Sequence, residues 1–316
     1  MIRVAAAMAI IPKSKRLKLF VPWRSRSLPL DWDAEFERSR PLKMEIGFGN
    51  GQYLCSCAAD DPDSNYVGVE MTWGSIKRAC GLCCKHDVEN VRLLWEDART
   101  ALAWDFRENS LESILALYPC PWPKKRHAKF RLFQPDFVAL CNSRLKSGGT
   151  LTVVTDSSTY RDEMLETNTL ARTGMSAHLE CIPASFQTKY EKKWQETGQS
   201  EFYRLVFRKQ VHQNIPKPEV QIVKHHLVPE FDPNTFAPKD EKDAFSVQFK
   251  QFIFDQKQQI GLLEVHTHEE TIEQHFYIRI KKQENGWKIH PAGGPPLLPV
   301  PSVQRALDIV MECASL

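Results

Sequence analysis

The sequence predicts a doubly wound α/β sheet followed by a second, smaller α+β domain, on three observations. From Pro41 to Lys209, apolar runs of strand length alternate with helical patterns. Those runs end at glycines, acids or other residues with chemistry to offer, and open α/β sheets bind ligands at their carboxyl edge. Beyond Gln210 the pattern changes to alternating β-like runs, a proline-rich turn and one final helical stretch. The expected divisions are a basic N-terminal arm over 1–40, the α/β domain over 41–210, a linker over 211–219 and the α+β domain over 220–316.

The elements follow in order. "LKMEI" is a strand, "GFGNG" a glycine loop, "GQYLCSCAA" a helix and "YVGVE" a second strand. Trp73 to His86 is a helix with Trp73, Ile76, Cys80, Cys83 and Cys84 on one face, and "VRLLW" is a third strand. "LESILALYP" is a fourth strand, and Leu132 to Leu145 a helix closed by "KSGG", with Gly148 and Gly149 as stop and turn before the strand "TLTVVTD". "AHLECIP" and "FYRLVFRK" read as two more strands. In the last hundred residues "SVQFKQFIF", "GLLEVHTH", "QHFYIRIKK" and "GWKIHP" alternate as strands do, and "VQRALDIVMECA" is helical.

Composition excludes more than it selects. A chain of 316 residues with 42% hydrophobic content can build two cores, and a formal charge of +3 is too mild to imply nucleic acid. Its distribution says more: seven cations and no acid lie between Met1 and Leu30, and Lys124 to Arg131 adds five. Interleaved with Phe20 and Trp23, the N-terminal cations suit either an arm along an RNA backbone or a disordered tail. Nine scattered cysteines follow no disulfide framework, which points to a reducing, cytoplasmic setting. "VAAAMAII" lacks a credible cleavage site and reads as a strand or a ragged start, and no apolar run approaches membrane-spanning length.

"EIGFGNG" places Gly47, Gly49 and Gly51 after the first strand, where the backbone can turn tightly and a ligand can approach. Glu70, nineteen residues after Gly51, ends the next strand and has the spacing of a ribose-binding carboxylate. Glu45 stands at the loop itself. A carboxylate there repels a pyrophosphate but suits the sulfonium and amino group of S-adenosylmethionine, the cofactor this pattern favours over a dinucleotide. Asp97, past the third strand, is placed either to accept the adenine amino proton or to cap a helix.

The fourth strand delivers Tyr118, Pro119 and Cys120 to the same edge, followed by Trp122 and the basic run. Cations position phosphates and an exposed aromatic face stacks on a splayed base, although a solvated basic loop is the plainer meaning of such a run. With "EIGFGNG", "YVGVE", "PWPKKRHAKFRLFQPDF", "LKSGGTLTVVTD" followed by Tyr160, and "TKYE", the stretch from Lys43 to Lys209 resembles the bacterial tRNA (guanine-N7)-methyltransferases, within the class I Rossmann-like methyltransferases. The resemblance implies methyl transfer from S-adenosylmethionine to N7 of a guanosine in the tRNA variable loop. It implies cofactor contacts from Glu45, Glu70 and Asp97 beside Gly47, Gly49 and Gly51. It implies nucleoside contacts from Lys124, Asp156 and the segment Thr188, Lys189, Tyr190 and Glu191. tRNA is the partner so implied; no membrane partner is expected, and no oligomeric state is assigned.

One position departs from the family pattern: an aspartate taken as catalytic is replaced by Cys120. Guanine N7 carries a lone pair and no proton, so attack on a methyl group needs alignment rather than a general base. Losing one charge-assisted bond costs about 1.5–3 kcal/mol, roughly ten- to a hundredfold in rate. A weakened enzyme, a non-catalytic tRNA-binding relative, and a cytosine-C5 methyltransferase using Cys120 as nucleophile are the alternatives.

Two further patterns carry less. Cys80, Cys83, Cys84 and His86 have metal-like spacing, but the cysteines fall on the apolar face of a helix and read as core. His266 and His268 share one face of a strand, with His275 and acids nearby; solvated strand histidines are the commoner meaning, and no metal site is assigned. The family resemblance is expected to stop before the last hundred residues.

Overall fold

The computed structural model describes residues 18–186, 191, 201–215, 222–269, 272–293 and 297–315. Thr188, Lys189 and Tyr190, and the N-terminal residues up to 17, lie outside them. The chain divides into two compact units, Met1–Lys217 and Pro218–Leu316.

The first unit is built on a seven-stranded sheet: β1 (Leu42–Ile46), β2 (Asn65–Glu70), β3 (Val91–Trp95), β4 (Leu111–Leu117), β5 (Leu145–Thr155), β6 (Met175–Ile182) and β7 (Phe202–Lys209). Their order is β3-β2-β1-β4-β5-β7-β6, with β7 antiparallel to both β5 and β6 and the rest parallel. The order reverses between β1 and β4, which opens a crevice at their carboxyl ends. Helices α1 (Trp32–Phe36), α2 (Gln52–Asp60), α3 (Trp73–Lys85), α4 (Ala98–Trp104), α5 (Pro135–Arg144), α6 (Ser158–Thr167) and α7 (Leu170–Thr173) complete the unit. The central strands are apolar on both faces because helices cover both, as in β2, where only Glu70 is not buried.

Local chemistry sets the helix starts. Asp31, Asp97 and Ser157 cap α1, α4 and α6 by accepting backbone N–H groups, and Pro135 opens α5. Cys80 and Cys83 are buried in the core between α2 and α3 with Leu54, Ile76 and Val91.

Two expectations are corrected. Gly148 and Gly149 do not stop the helix: α5 gives way directly to β5 at Leu145, and the glycines form an irregularity inside that strand. Leu111 pairs Leu145 while Ser113 pairs Thr150, so β5 holds three extra residues in a bulge. Gly148 takes φ +71°, and a Cβ at Gly149 would press on the carbonyls of Lys146 and Glu112. The basic arm expected over 1–40 is not an arm in its described part. Leu19, Val21, Trp23, Leu30, Trp32 and Phe36 are buried, and Val21 donates its N–H to the Leu93 carbonyl at the edge of β3. Burying six large apolar groups fixes the segment whatever the charge of its neighbours.

The second unit is a six-stranded antiparallel sheet of β8 (His226–Val228), β9 (Glu241–Lys242), β10 (Ser246–Asp255), β11 (Ile260–Glu269), β12 (Ile272–Gln283) and β13 (Gly286–Pro291). Its order is β8-β13-β12-β11-β10-β9, and α8 (Pro301–Ala314) packs on it. Val303, Ala306, Leu307 and Val310 of the helix are buried, as are Val265, Ile278, Ile280 and Ile289 of the strands. Alternate residues of β11 and β12 are therefore buried, and the others, Glu264, His266, His275 and Tyr277 among them, are not.

Candidate functional site

At the switch between β1 and β4 lies a cleft of about 640 Å³, within the range of small-molecule sites. Gly47, Gly49, Glu70, Asp97, Arg78 and Cys120 are among its lining residues. A smaller hollow shares Gly47, Gly49, Asn50 and Tyr118 with it and adds Glu45 and Tyr53.

Each wall has a sequence origin. Gly47 and Gly49 adopt φ of +68° and +56°, and a Cβ on either would meet nothing within 4 Å, so the loop presents bare backbone. Gly51 does something else: at φ +75° it caps α2, and a Cβ there would lie 2.5 Å from Ala79 Cβ. It does not line the cleft; its small size lets α3 approach the loop.

Glu70 fixes the loop. Its Oε2 accepts the Gly49 N–H at 3.1 Å and its Oε1 accepts the Thr72 N–H at 2.9 Å, so one carboxylate ties the ends of β1 and β2 together. Each oxygen keeps lone-pair capacity for a sugar hydroxyl. Asp97 is the N-cap of α4: Oδ1 accepts the Arg99 N–H at 2.7 Å, while Oδ2 lies 3.6 Å from the Arg99 guanidinium. The cap and a cleft-lining carboxylate are thus one residue.

Glu45 is buried in the middle of the sheet, opposite Gly68 on one side and Leu115 on the other. Burial pushes its carboxyl up to about 8. Such a group gains from a cationic ligand, which restores the charge that burial disfavours. Next to Asp97, Glu96 is buried as well, and its carboxyl is held well above the usual range by burial and by the charge of Asp105. Asp105 raises the Glu96 carboxyl, whereas burial holds that of Asp105 at about 7 against the downward pull of Glu96 and of the Arg24 charge. No motif or spacing in the chain marks this buried acid pair.

The opposite wall is the turn after β4. Tyr118 and Trp122 both take positive φ, at 55° and 43°, in a region that non-glycine residues avoid. Two buried groups hold the turn. Tyr118 Oη donates to Glu191 Oε1 at 2.6 Å, and the same oxygen accepts the N–H groups of Ser185 and Phe186. The guanidinium of Arg131 donates to the Pro121 carbonyl at 2.7 Å and the Trp122 carbonyl at 3.3 Å, and pairs with Glu163. Nothing in the sequence marks Arg131 and Glu163 as a pair: one belongs to a basic run that suits phosphate contact or a solvated loop, the other to a stretch that the sequence pattern assigns to no element.

Cys120 is exposed and lines the cleft. Asp156 follows β5, where burial raises its carboxyl, and its charge also acts on Tyr118. Lys124, Arg126 and Lys129 are exposed around the short 3-10 helix Lys125–Phe130. Trp122 stands 5.8 Å from the His127 ring and 5.5 Å from the Phe130 ring, and Lys129 Nζ lies 5.3 Å from the Phe130 ring centre. Among the described residues, the structure gathers Glu45, Gly47, Gly49, Glu70, Asp97 and Cys120 at one crevice.

These residues fit S-adenosylmethionine. The open glycine cradle accepts close backbone approach, Glu70 and Asp97 supply hydroxyl and amino acceptors, and the buried Glu45 favours a cation.

Comparison with known proteins agrees. A family described as "Putative methyltransferase" matches residues 39–204. The tRNA (guanine-N(7)-)-methyltransferase of Chlorobium phaeobacteroides is 36% identical over 171 residues, 54% of this chain and 83% of that one. The enzyme of the same name from Aquifex aeolicus is 30% identical over 288 residues, 87% of this chain and 94% of its own. A match of that extent reaches into the second unit, so the expectation that family likeness stops before the last hundred residues is overturned. The structure of a 16S rRNA (adenine(1408)-N(1))-methyltransferase from Catenulisporales acidiphilia superposes with a TM-score of 0.44 at 16% identity, over 60% of this chain and 94% of that one, too loosely to bear on function. By its sequence match along nearly the whole of the Aquifex enzyme, the chain belongs to the tRNA (guanine-N7)-methyltransferase family.

Proposed function

We propose that this chain transfers the methyl group of S-adenosylmethionine to N7 of a guanosine in tRNA, in the cytoplasm. The observation that carries the reading is the crevice between β1 and β4, with cofactor-type acceptors on one wall and the Tyr118 to Trp122 turn on the other. When bound, S-adenosylmethionine supplies a methyl group activated by a sulfonium. Gly47, Gly49, Glu70 and Asp97 hold the nucleoside end, and Glu45 answers the positive charge. Gly51 supports the loop from behind.

Guanine N7 needs no proton removed, so the chain's task is to align the base and exclude water. Asp156 and Lys124 are the described candidates for nucleoside contact, with Thr188, Lys189 and Tyr190 outside the described residues. Glu191 acts on the nucleoside indirectly, by holding Tyr118. Trp122 and Phe130 offer faces to an unstacked base and the surrounding cations reach phosphates. Cys120 stands at the transfer path without a chemical duty. Neither a non-catalytic role nor cytosine-C5 chemistry is favoured, since the curated relatives quoted above are both named as guanine-N7 enzymes.

The test is methyl transfer from labelled S-adenosylmethionine to unmodified tRNA, followed by nucleoside analysis. N7-methylguanosine is the expected product. A folded protein that binds tRNA and yields no methylated nucleoside, or yields 5-methylcytosine, overturns the reading.

A further inference from the structure

The second unit carries a cluster that methyl transfer does not use. β11 and β12 pair in a register that sets His266 directly opposite His275, with Glu264 two residues before His266 on the same face. The opposite face of these strands is buried. His266 and His275 are left with their rings 4.3 Å apart. Both Nε2 atoms converge on one oxygen: His275 Nε2 is 2.9 Å and His266 Nε2 3.3 Å from Glu264 Oε1. One ligand atom from each of the three residues lies within 4.8 Å of the others.

We propose that Glu264, His266 and His275 form a binding site for one first-row divalent transition metal, of which zinc is the type. Two imidazoles and a carboxylate are the donor set such ions prefer, and calcium or magnesium would ask for oxygen ligands instead. Donors about 2.0–2.2 Å from a tetrahedral ion stand roughly 3.3–3.5 Å apart; the two carboxylate–imidazole separations, 2.9 and 3.3 Å, are within a few tenths of an ångström of that, and the remaining one, within 4.8 Å, closes by rotation of the imidazole rings. Three protein ligands on a solvent-facing strand pair leave at least one coordination position for water. The ion would clasp β11 to β12.

His268 is excluded from the set. It pairs Glu273 and Ser246, one repeat further along the strand, outside the three residues whose ligand atoms converge. The family's methyl-transfer chemistry assigns no role to these residues, and the proposal stands or falls separately from it.

The experiment uses the full-length chain, untagged and stripped of metal, titrated with cobalt(II) and followed by visible absorption, with zinc competition by calorimetry. Expected is one ion per chain, giving the intense d–d bands of a four- or five-coordinate site without thiolate charge transfer. Outer-shell partners of metal ligands typically matter 10–100-fold, so removing a ligand by His266→Ala or His275→Ala should weaken binding by roughly a hundredfold or more. His268→Ala should bind as the parent does. Because all three histidines face solvent, metal-free melting temperatures of the variants should match the parent, which separates ligand loss from misfolding. Absence of stoichiometric binding, binding that survives both ligand substitutions, or a thiolate charge-transfer band that places the ion on cysteines would overturn the proposal.

Discussion

Tyr118 Oη donates a 2.6 Å hydrogen bond to Glu191 Oε1 across seventy-three residues of chain, while the Tyr118 backbone stands at φ 55°. The bond ties a strained turn at the cleft to a glutamate for which the family resemblance implies contact with the nucleoside itself. Tyr118→Phe should lower the unfolding free energy by about 1.5–3 kcal/mol, the worth of a hydrogen bond to a charged group. In a urea-denaturation double-mutant cycle with Glu191→Gln the losses should fail to add, by about 0.5–3 kcal/mol. Additive losses would mean that the two residues act separately.

Burial raises the Glu45 carboxyl from 4.5 to about 8, which fixes the sign of two pH effects. A cationic ligand requires the ionised form, so S-adenosylmethionine affinity should fall about tenfold per pH unit below pH 8 and level off above it. In the ligand-free protein the folded state holds a proton that the unfolded state has released, so stability should decline as pH rises from 4.5 to 8. Glu45→Gln should flatten both profiles, read by calorimetry and by thermal melting. A parent affinity that does not vary with pH would show that Glu45 does not answer the sulfonium or the amino group.

Cys120 calls for a comparison of three proteins under identical transfer conditions. The parent should make N7-methylguanosine, Cys120→Ser should match it within a factor of a few, and Cys120→Asp should be faster by about ten- to a hundredfold, the worth of one recovered charge-assisted bond. A serine variant that loses all transfer would assign the thiol a covalent role.

Arg131 is a buried cation whose partners are two carbonyls of the cleft turn and Glu163. Arg131→Met removes one half of that pair and should cost about 3–5 kcal/mol of stability. Amide exchange should accelerate across residues 118–131 more than in β1 or β2. Uniform acceleration throughout the first unit would mean that the guanidinium supports the whole fold rather than this turn.

Much of the architecture was legible in the sequence because it is carried by local periodicity. β7 and β13 fall on the residues that their alternation marks, and β1, the glycine loop and β2 bring Glu45, Gly47, Gly49 and Glu70 to one edge as their spacing requires. The bulge at Gly148 was not legible, since "KSGG" after a helix has the same letters as a helix stop and only the pairing with Leu111 and Ser113 decides between them. Gly51 was assigned to the ligand by motif, yet its neighbour is Ala79, a contact between helices that no spacing rule contains. Tyr118–Glu191 and Arg131–Glu163 escaped for the same reason. Contacts between distant segments leave no period in either one.

The Leu93 carbonyl accepts the Val21 N–H at 3.0 Å, and Phe20 bridges the same residue in parallel, at the outermost strand of the first sheet. That short stretch therefore blocks the rim on which another molecule's strand could grow. A chain trimmed to begin at Asp31 would keep every residue of the cleft and expose a row of unsatisfied strand groups. Stripped as well of the buried Leu19, Val21, Trp23 and Leu30, it would fail colloidally, molecules joining edge to edge.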